Sequence, residues 1–262
     1  HLPDFAERND EVGQLSRAFR SMTAALYRRI ESSESFAADV AHELKNPLTA
    51  ARSTAESLVY AKTPEQRDEL VRQIQNELKR LNRLITDVSN ASRLDAELAR
   101  QAMVPTLITD VVDNVAKIFR DILSEDGRSV RVVLDQGVDR QTLKVTGHEG
   151  RLGQVITNLV DNAVSFSPAD GVVVITVKQS PQHVDIVIDD EGPGIPEDRL
   201  AIIFDRFYTD RPQSEALRGK NSGLGLSISR EIVIAHGGEI WAENRRAAGS
   251  AAESRPVGAR FT

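Results

Sequence analysis

The sequence predicts a multidomain protein in which a helical bundle is followed by an α/β sandwich. Two observations lead to this fold class. Over residues 11–98, apolar side chains recur in alternating steps of three and four, which is the spacing of packed helices. Near residues 99–105 that rhythm stops, and short β-branched runs and glycines follow. We therefore predict a helical arm at 1–30, a helical hairpin at 31–100 and an α/β domain at 101–262.

The composition narrows the classes of protein that fit this chain. Its 262 residues are 40% apolar but only 5% aromatic, which suits helices packed through leucine, isoleucine and valine. The net charge of -6 gives no reason to expect nucleic acid as a partner. The absence of cysteine excludes disulfides and thiolate metal sites. No apolar run approaches the roughly 18 residues of a spanning helix, so we expect the part present here to be soluble.

The helical part divides into three segments. Residues 8–30 indicate a turn that leads into an amphipathic helix, and a plain helical arm is one interpretation. The first hairpin helix is predicted at 31–60. Thr63, Pro64 and Gln66 indicate a second helix start, with Thr63 as N-cap and Gln66 completing a capping box. This helix should end near Leu98. The apolar stripes are too wide for one partner, so we expect two hairpins to form a dimeric four-helix bundle.

His42 lies just beside the apolar stripe of the first hairpin helix, which passes through Ala37, Ala41, Leu44, Leu48, Ala51, Ala55 and Leu58. At helical spacing His42 and Asn46 share one face. Pro47 cannot donate a backbone hydrogen bond to the carbonyl of Glu43, so the helix should be loosened at this turn. A lone histidine on a helix is usually an ordinary surface residue. Only the surrounding residues make His42 a candidate nucleophile.

The second domain shows mixed helix and strand patterns without strict alternation, which favours an α/β sandwich. Helices are predicted at 106–123, 149–165 and 225–235, the last ending at a glycine cap formed by Gly237 and Gly238. Strands are predicted at 130–134, 142–145, 172–178, 184–188, 239–243 and 259–262. The histidines of this domain, which are His148, His183 and His236, are predicted to be ordinary loop, edge and helix-end residues.

Three stretches of the second domain carry groups that suit a nucleotide. Asn158 and Asn162 share one helix face, and amide oxygens can ligate Mg²⁺. Asp190 follows an apolar strand, so its carboxylate can accept a hydrogen bond from an exocyclic amine. Gly223 and Gly225 precede a helix whose free amides suit phosphates. Each stretch taken alone is more often a solvated helix face, a turn or an ordinary helix start.

The order of these motifs resembles that of sensor histidine kinases. Residues 42–49, His-Glu-Leu-Lys-Asn-Pro-Leu-Thr, resemble the H-box, and the four stretches at 158–166, 190–196, 204–208 and 222–228 resemble the N, G1, F and G2 boxes. The resemblance implies a HisKA phosphotransfer domain and a HATPase_c domain of the Bergerat (GHKL) fold, after the C-terminal half of a HAMP linker. It further implies ATP-dependent phosphorylation of His42, with Glu43 orienting the ring and taking its proton. Asn46 would position a water for dephosphorylation.

The same resemblance implies roles for the residues of the second domain. Asn162 would bind Mg²⁺, Asn158 would support the phosphates of ATP, and Asp190 would recognise adenine. Residues 209–222 would form a lid that carries the candidate cations Arg211, Arg218 and Lys220. The other residues implied at the ATP site are Phe166, Gly192, Gly194, Phe207, Tyr208, Gly223, Leu224, Gly225 and Leu226.

Residues 36–49, 89–98 and 206–212 are particularly similar to the ChvG/ExoS type of alphaproteobacterial sensor kinase. That type implies a homodimer, a ChvI-type response regulator as partner, and a full-length protein in the bacterial inner membrane whose upstream segments are absent here. Two other functions are weighed against it. A hydrolysing ATPase of the gyrase and chaperone superfamily would carry glutamate at the position of Asn158, and a dimeric pseudokinase scaffold would be expected to lose His42, Asn162 or Asp190.

Overall fold

The computed structural model describes residues 10–100, 102–208, 222–246 and 256–262. The chain forms two compact units, and the division between them falls inside a helix, after Ile74. Among the described residues, no helix combines the length and the apolar composition needed to cross a membrane. Each unit is considered by itself below.

The first unit is dominated by α1 (Glu11–Ser57), a helix of 47 residues. Its N-cap is Asp10, whose Oδ1 accepts a hydrogen bond from the amide of Gly13 at 3.1 Å. The helix runs without interruption through Pro47, so the predicted arm and the first hairpin helix are one continuous element. It ends three residues earlier than predicted, and a 3₁₀ turn (Leu58–Tyr60) follows.

The start of α2 (Pro64–Arg100) is largely as predicted. Thr63 Oγ1 accepts from the amide of Gln66 at 3.2 Å, which confirms the N-cap. The reciprocal half of the predicted capping box is wrong, because Gln66 Oε1 accepts from the amide of Lys62 at 3.0 Å. The side chain of Gln66 therefore reaches one residue beyond the N-cap.

The helices leave an apolar stripe uncovered in the single chain. On α1, Leu15 is 71% exposed and Leu48, a member of the predicted stripe, is 59% exposed. Leu78 and Ile85 of α2 are also about half exposed. The other exposed apolar residues of α1 are Val12, Phe19, Met22, Leu26, Tyr27 and Ile30, and all but Tyr27 follow the same three-and-four spacing. Such a stripe is what one chain of a helical dimer leaves exposed.

The second unit contains the predicted α/β sandwich. Its five-stranded sheet has the order β2-β4-β5-β7-β6, and a two-stranded sheet pairs β1 with β3. The strands are β1 (Val104–Leu107), β2 (Ser129–Leu134), β3 (Lys144–Gly147), β4 (Val172–Gln179), β5 (Val184–Asp189), β6 (Ala242–Arg245) and β7 (Gly258–Phe261). The helices that pack with them are α3 (Ile108–Ile122), α4 (Glu149–Phe166) and α5 (Gly225–Ala235).

The core of this unit lies between the helices and the larger sheet. Ile156 and Val160 of α4, Ile175 of β4, Ile188 of β5 and Ile232 of α5 are all at most 1% exposed. Pairing of β2 with β4 is parallel, whereas β4, β5, β7 and β6 pair antiparallel. Asp190 therefore follows β5 in the interior of the sheet rather than at its edge.

Two strand predictions are wrong in position, and one strand lies where none is predicted. Residues 104–107 form β1 and were expected to lie partly in a loop and partly in α3. The strand predicted at 142–145 lies at Lys144–Gly147, since its register follows β1, with Val104 opposite Gly147. The strand predicted at 239–243 lies at Ala242–Arg245, where it pairs with β7. In each case the partner strand, which is distant in sequence, sets the limits.

Candidate functional site

A cavity of about 680 Å³ lies where α4, the loop after β5 and the start of α5 meet; we call it the α4/α5 cavity. Side chains from each of the four predicted stretches of the second domain line it. Those predicted from the sequence are Asn158, Asn162, Phe166, Asp190, Gly194, Tyr208, Gly223, Gly225 and Leu226. The fold thus brings together predicted site residues separated by up to 68 positions, since Asn158 and Leu226 line the same cavity.

Asp190 is the buried carboxylate of this cavity, with 3% of its surface exposed. Its Oδ1 accepts two backbone hydrogen bonds, from Gly192 and from Ala259, each at 2.9 Å. Burial raises the pKa of the Asp190 carboxyl, and the two amide hydrogen bonds offset part of that rise. Both amides bind the same oxygen, and the described residues provide no partner for Oδ2. This oxygen can therefore accept a hydrogen bond from a ligand.

The backbone at Asp190 is fixed by β6 and β7. Arg260 holds the neighbouring Asp189 through two hydrogen bonds, Nε to Oδ1 at 2.7 Å and Nη2 to Oδ2 at 3.0 Å. Arg245 donates from Nη1 to the carbonyl of Asp190. At Gly258 a Cβ would lie 2.0 Å from that same carbonyl oxygen, so only glycine allows the approach. The charge of Asp189 is thereby balanced by Arg260, and Asp190 provides the carboxylate of the cavity.

The loop after Asp190 is held by Asn244 of β6. The Asn244 Oδ1 accepts from the amide of Ile195, and its Nδ2 donates to the Ile195 carbonyl, both at 2.7 Å. Gly194 has φ +80°, and a Cβ there would lie 2.5 Å from Pro256 Cβ. At Gly192 a Cβ would lie 2.9 Å from the Phe166 carbonyl oxygen. Both glycines are needed because the chain passes too close to its neighbours for a side chain.

The opposite side of the cavity joins α4 to α5. Asn158 Nδ2 donates to the carbonyl of Gly225 at 3.1 Å and to Ser229 Oγ at 3.3 Å. Asn162 lies one turn further along the same face of α4 and also lines the cavity. At Gly225 the atoms nearest to a Cβ would belong to Asn158, at 3.7 Å or more. The start of α5, with its free backbone amides, therefore faces two amide side chains, a combination that suits a phosphate group.

Phe207 and Gly223 bring the two remaining stretches together. Phe207 donates its amide hydrogen to the carbonyl of Gly223 at 2.9 Å. It has φ +61°, the only positive φ of a non-glycine residue in the described ranges, while Gly223 has φ +75°. A Cβ at Gly223 would lie 2.7 Å from the Phe207 carbonyl carbon. The next residue, Tyr208, lines the cavity, and its buried hydroxyl has no partner among the described residues.

Some predicted site residues lie elsewhere. Gly192, Phe207 and Leu224 support the cavity without lining it, and Leu224 is the buried N-cap residue of α5. The lid candidates Arg211, Arg218 and Lys220 lie outside the described residues. The remaining three, His42, Glu43 and Asn46, lie on α1 in the first unit, where His42 and Asn46 are exposed and Pro47 is buried.

The structure adds residues that the sequence did not indicate. Strands β6 and β7 hold the loop and the carboxylate through Asn244, Arg245 and Ala259. No local sequence motif in these strands indicates that role. Asp87, from the part of α2 that belongs to the second unit, also lines the cavity. Burial raises the pKa of Asp87, and a hydrogen bond with Ser222 offsets part of the rise.

Two family comparisons cover most of the chain. Residues 32–97 match the His Kinase A (phospho-acceptor) domain, and residues 147–262 match the histidine kinase-, DNA gyrase B- and HSP90-like ATPase family. The combination of a phospho-acceptor domain and an ATPase domain of this fold defines the histidine kinases, and the chain belongs to that family. The second match assigns the α4/α5 cavity to a domain of the ATP-binding class.

Individual relatives refine this assignment. The sensor protein ChvG of Rhizobium meliloti (strain 1021) is 48% identical over 266 residues, which cover 99% of this chain and 45% of that protein. ChvG of Agrobacterium fabrum is 47% identical over 249 residues, 93% of this chain and 41% of that protein. The predicted similarity to the ChvG/ExoS type is confirmed. The chain spans less than half the length of these relatives.

A solved structure matches both units. The crystal structure of the histidine kinase ThkA in complex with the response regulator protein TrrA is 25% identical, with a TM-score of 0.66. The match covers 96% of this chain and 66% of that one.

Proposed function

We propose that this chain is the kinase portion of a ChvG-type sensor histidine kinase, which phosphorylates itself on His42 at the expense of ATP. The observation that carries the proposal is the α4/α5 cavity. There a buried Asp190 offers Oδ2 to a donor, and Asn158 and Asn162 line the cavity beside the start of α5. These groups fit an adenine at one side and phosphates at the other. The match of residues 32–97 to a phospho-acceptor domain supports His42 as the second substrate group.

The residues around the cavity fit ATP with Mg²⁺ as its counterion. Asp190 Oδ2 would accept from the exocyclic amine of adenine, and the orphaned hydroxyl of Tyr208 would gain a partner. Asn158 would support the phosphates by holding the start of α5, whose backbone amides would donate to phosphate oxygens. The amide oxygen of Asn162 would be a ligand of Mg²⁺, which when bound offsets the negative charge of the phosphates.

In the proposed reaction, an imidazole nitrogen of His42 attacks the γ-phosphorus of ATP. The bond from that phosphorus to the bridging oxygen breaks, an N–P bond forms, and ADP leaves with the bond's electrons. Glu43 binds the other ring nitrogen and accepts its proton, which selects the tautomer that attacks. His42 is exposed on α1 and is therefore accessible to an incoming phosphoryl group.

The phosphoryl group is then proposed to pass from His42 to an aspartate of a response regulator, a ChvI-type regulator by the similarity to ChvG. The complex of ThkA with TrrA supports a regulator as partner. Asn46, exposed one turn from His42, would hold the water that hydrolyses the phosphorylated regulator. A homodimer through α1 and α2 would cover the exposed stripe that includes Leu48 and Ile85. The full-length protein is proposed to lie in the bacterial inner membrane.

The experiment is incubation with γ-labelled ATP and Mg²⁺, followed by acid treatment. Wild-type chain should acquire acid-labile label, and His42→Ala should acquire none. The matched control is His183→Ala, since His183 is 63% exposed and lies outside the site. Label retained in His42→Ala would refute the assignment of the phosphoacceptor. Failure of the wild-type chain to bind a fluorescent ATP analogue would refute the nucleotide site itself.

A further inference from the structure

The helices that carry the nucleotide-binding groups are joined again at their far ends, by two histidines. His148 is the N-cap residue of α4 and His236 is the C-cap residue of α5. The backbone amide of His148 donates to His236 Nε2 at 3.0 Å. The two rings meet edge to face, with centroids 5.5 Å apart and an interplanar angle of 87°. A second, independent link between α4 and α5 therefore exists besides the one made by Asn158.

The contacts of His236 assign the hydrogen-bonding roles of its two ring nitrogens. Its Nδ1 lies 2.7 Å from the carbonyl oxygen of Ile232, and because a carbonyl can only accept, Nδ1 carries the hydrogen. Nε2 accepts from His148, so it carries none. Both ring nitrogens of His236 are thus used in hydrogen bonds. His236 satisfies the amide of an N-cap residue whose own side chain makes no capping hydrogen bond.

The surroundings leave little room for this contact to change. His148 is 7% exposed, and its Nε2 is buried without a partner among the described residues. Gly147 lies against the ring, since a Cβ there would be 2.7 Å from His236 Cδ2 and 3.0 Å from Leu152 Cδ1. The absence of a side chain at Gly147 is what lets the imidazole reach the start of α4.

Helices α4 and α5 run antiparallel, and the two links are separated by about the same distance along each helix. Along α4, ten residues separate His148 from Asn158, and along α5 eleven separate Gly225 from His236. At 1.5 Å per residue, each interval is about 15 Å. With one link at each end, the spacing and register of α4 against α5 are fixed.

We propose that His236 is a positioning residue for the nucleotide site, holding Asn158 and Asn162 of α4 at a fixed distance from the start of α5. The inference rests on the proposed ATP site. It concerns the phosphate side of the cavity only, because the adenine side is built from Asp190, which is held by β7 and its own loop. Loss of the link should weaken binding of phosphates and spare binding of the base.

The test compares two probes, a fluorescent ATP analogue with Mg²⁺ and adenosine measured by competition against it. His236→Ala should raise the Kd for the ATP analogue about fivefold to tenfold, which corresponds to the free energy of one hydrogen bond. The Kd for adenosine should stay unchanged. In His236→Gln the side-chain carbonyl can accept from His148, so binding should return to within about twofold of wild type. His183→Ala, at an exposed histidine, should match wild type.

Gly147→Ala supplies an independent perturbation of the same contact, because its Cβ would displace the ring of His236. It should weaken binding of the ATP analogue on its own and have a smaller effect in the His236→Ala background, where only the contact with Leu152 Cδ1 remains. If His236→Ala fails to fold, the affinities of Gly147→Ala and His236→Gln for the two probes are compared with those of wild type instead.

Two results would overturn the inference. An equal loss of affinity for adenosine and for the ATP analogue would show general destabilisation. An unchanged affinity for the analogue in both His236→Ala and Gly147→Ala would show that the link has no influence on the site. If the wild-type chain itself bound neither probe, the proposed ATP site would be wrong, and this inference would fall with it.

Discussion

Asp190→Asn separates recognition of the base from stability of the domain, because the substitution keeps the shape of the side chain. The amide oxygen that it introduces can accept the hydrogen bonds of Gly192 and Ala259, which Asp190 Oδ1 accepts now. The other atom becomes an NH₂ donor in place of the free acceptor Oδ2. It would then face the exocyclic amine of adenine, which is also a donor.

The expected loss follows from these two effects. A hydrogen bond to a charged acceptor contributes about 1.5 to 3 kcal/mol, and an unsatisfied buried donor costs about 1 to 3 kcal/mol. Together they amount to about 2.5 to 6 kcal/mol, or roughly 60-fold to 20,000-fold in Kd for ATP. An inosine nucleotide carries a carbonyl in place of the amine, and the new NH₂ can donate to that carbonyl. The affinity of Asp190→Asn for this nucleotide should therefore fall much less than its affinity for ATP, or should rise.

Stability should change in the opposite direction. Burial raises the pKa of Asp190 in the folded chain, so folding disfavours its ionised form. The resulting loss of stability develops as pH rises from the ordinary carboxyl range, near 4, through the raised pKa of the folded state. Asp190→Asn removes the ionisation. The free energy of unfolding of the nucleotide-free variant should therefore equal or exceed that of wild type at pH 7, with the difference shrinking as pH falls.

Both effects can be measured on one preparation. Kd values for the ATP and inosine nucleotides come from competition against a fluorescent analogue, and unfolding free energies from urea titrations at several pH values. Asp198→Asn is the matched control, because Asp198 is 75% exposed. Retention of ATP affinity within about fivefold of wild type would refute the role of Oδ2 as the acceptor for adenine.

Two further substitutions test the loops around the cavity. Gly223→Ala should lower nucleotide affinity and stability by about 2 kcal/mol or more, because it combines a left-handed φ with overlap on the Phe207 backbone. Gly225→Ala, whose Cβ has room, is the control in the same binding and urea assays; equal effects of the two would contradict the steric reason. Asn244→Ala removes both hydrogen bonds to Ile195 and should cost about 2 kcal/mol of unfolding free energy. It should also weaken ATP binding, and a loss of stability with unchanged binding would show that the loop keeps its shape without this clamp.

Local sequence signals determined the helices well. The limits of α5 (Gly225–Ala235) are those predicted, and α4 (Glu149–Phe166) differs from its prediction by one residue at its end. Both helices have apolar periodicity and a glycine or turn signal near an end, and these act within a few residues. The strands β1, β3 and β6 have four residues each, so their limits depend on which distant strand they pair with.

The sequence also indicated the groups that carry the chemistry, since Asp190, Asn158, Asn162 and Gly223 lie in short motifs that can be read locally. It did not indicate what holds them. Apart from the amide of Gly192, which binds Asp190 within the same motif, the supports are contacts between residues far apart in the chain. Ala259 and Arg245 bind Asp190 from strands 69 and 55 residues away, and His236 reaches His148 across 88 residues. Residue types and short spacings therefore determined which atoms can bind a nucleotide. Only the packing of β6, β7, α4 and α5 decided that these atoms would face one cavity, because register and helix spacing are set by partners that no local pattern specifies.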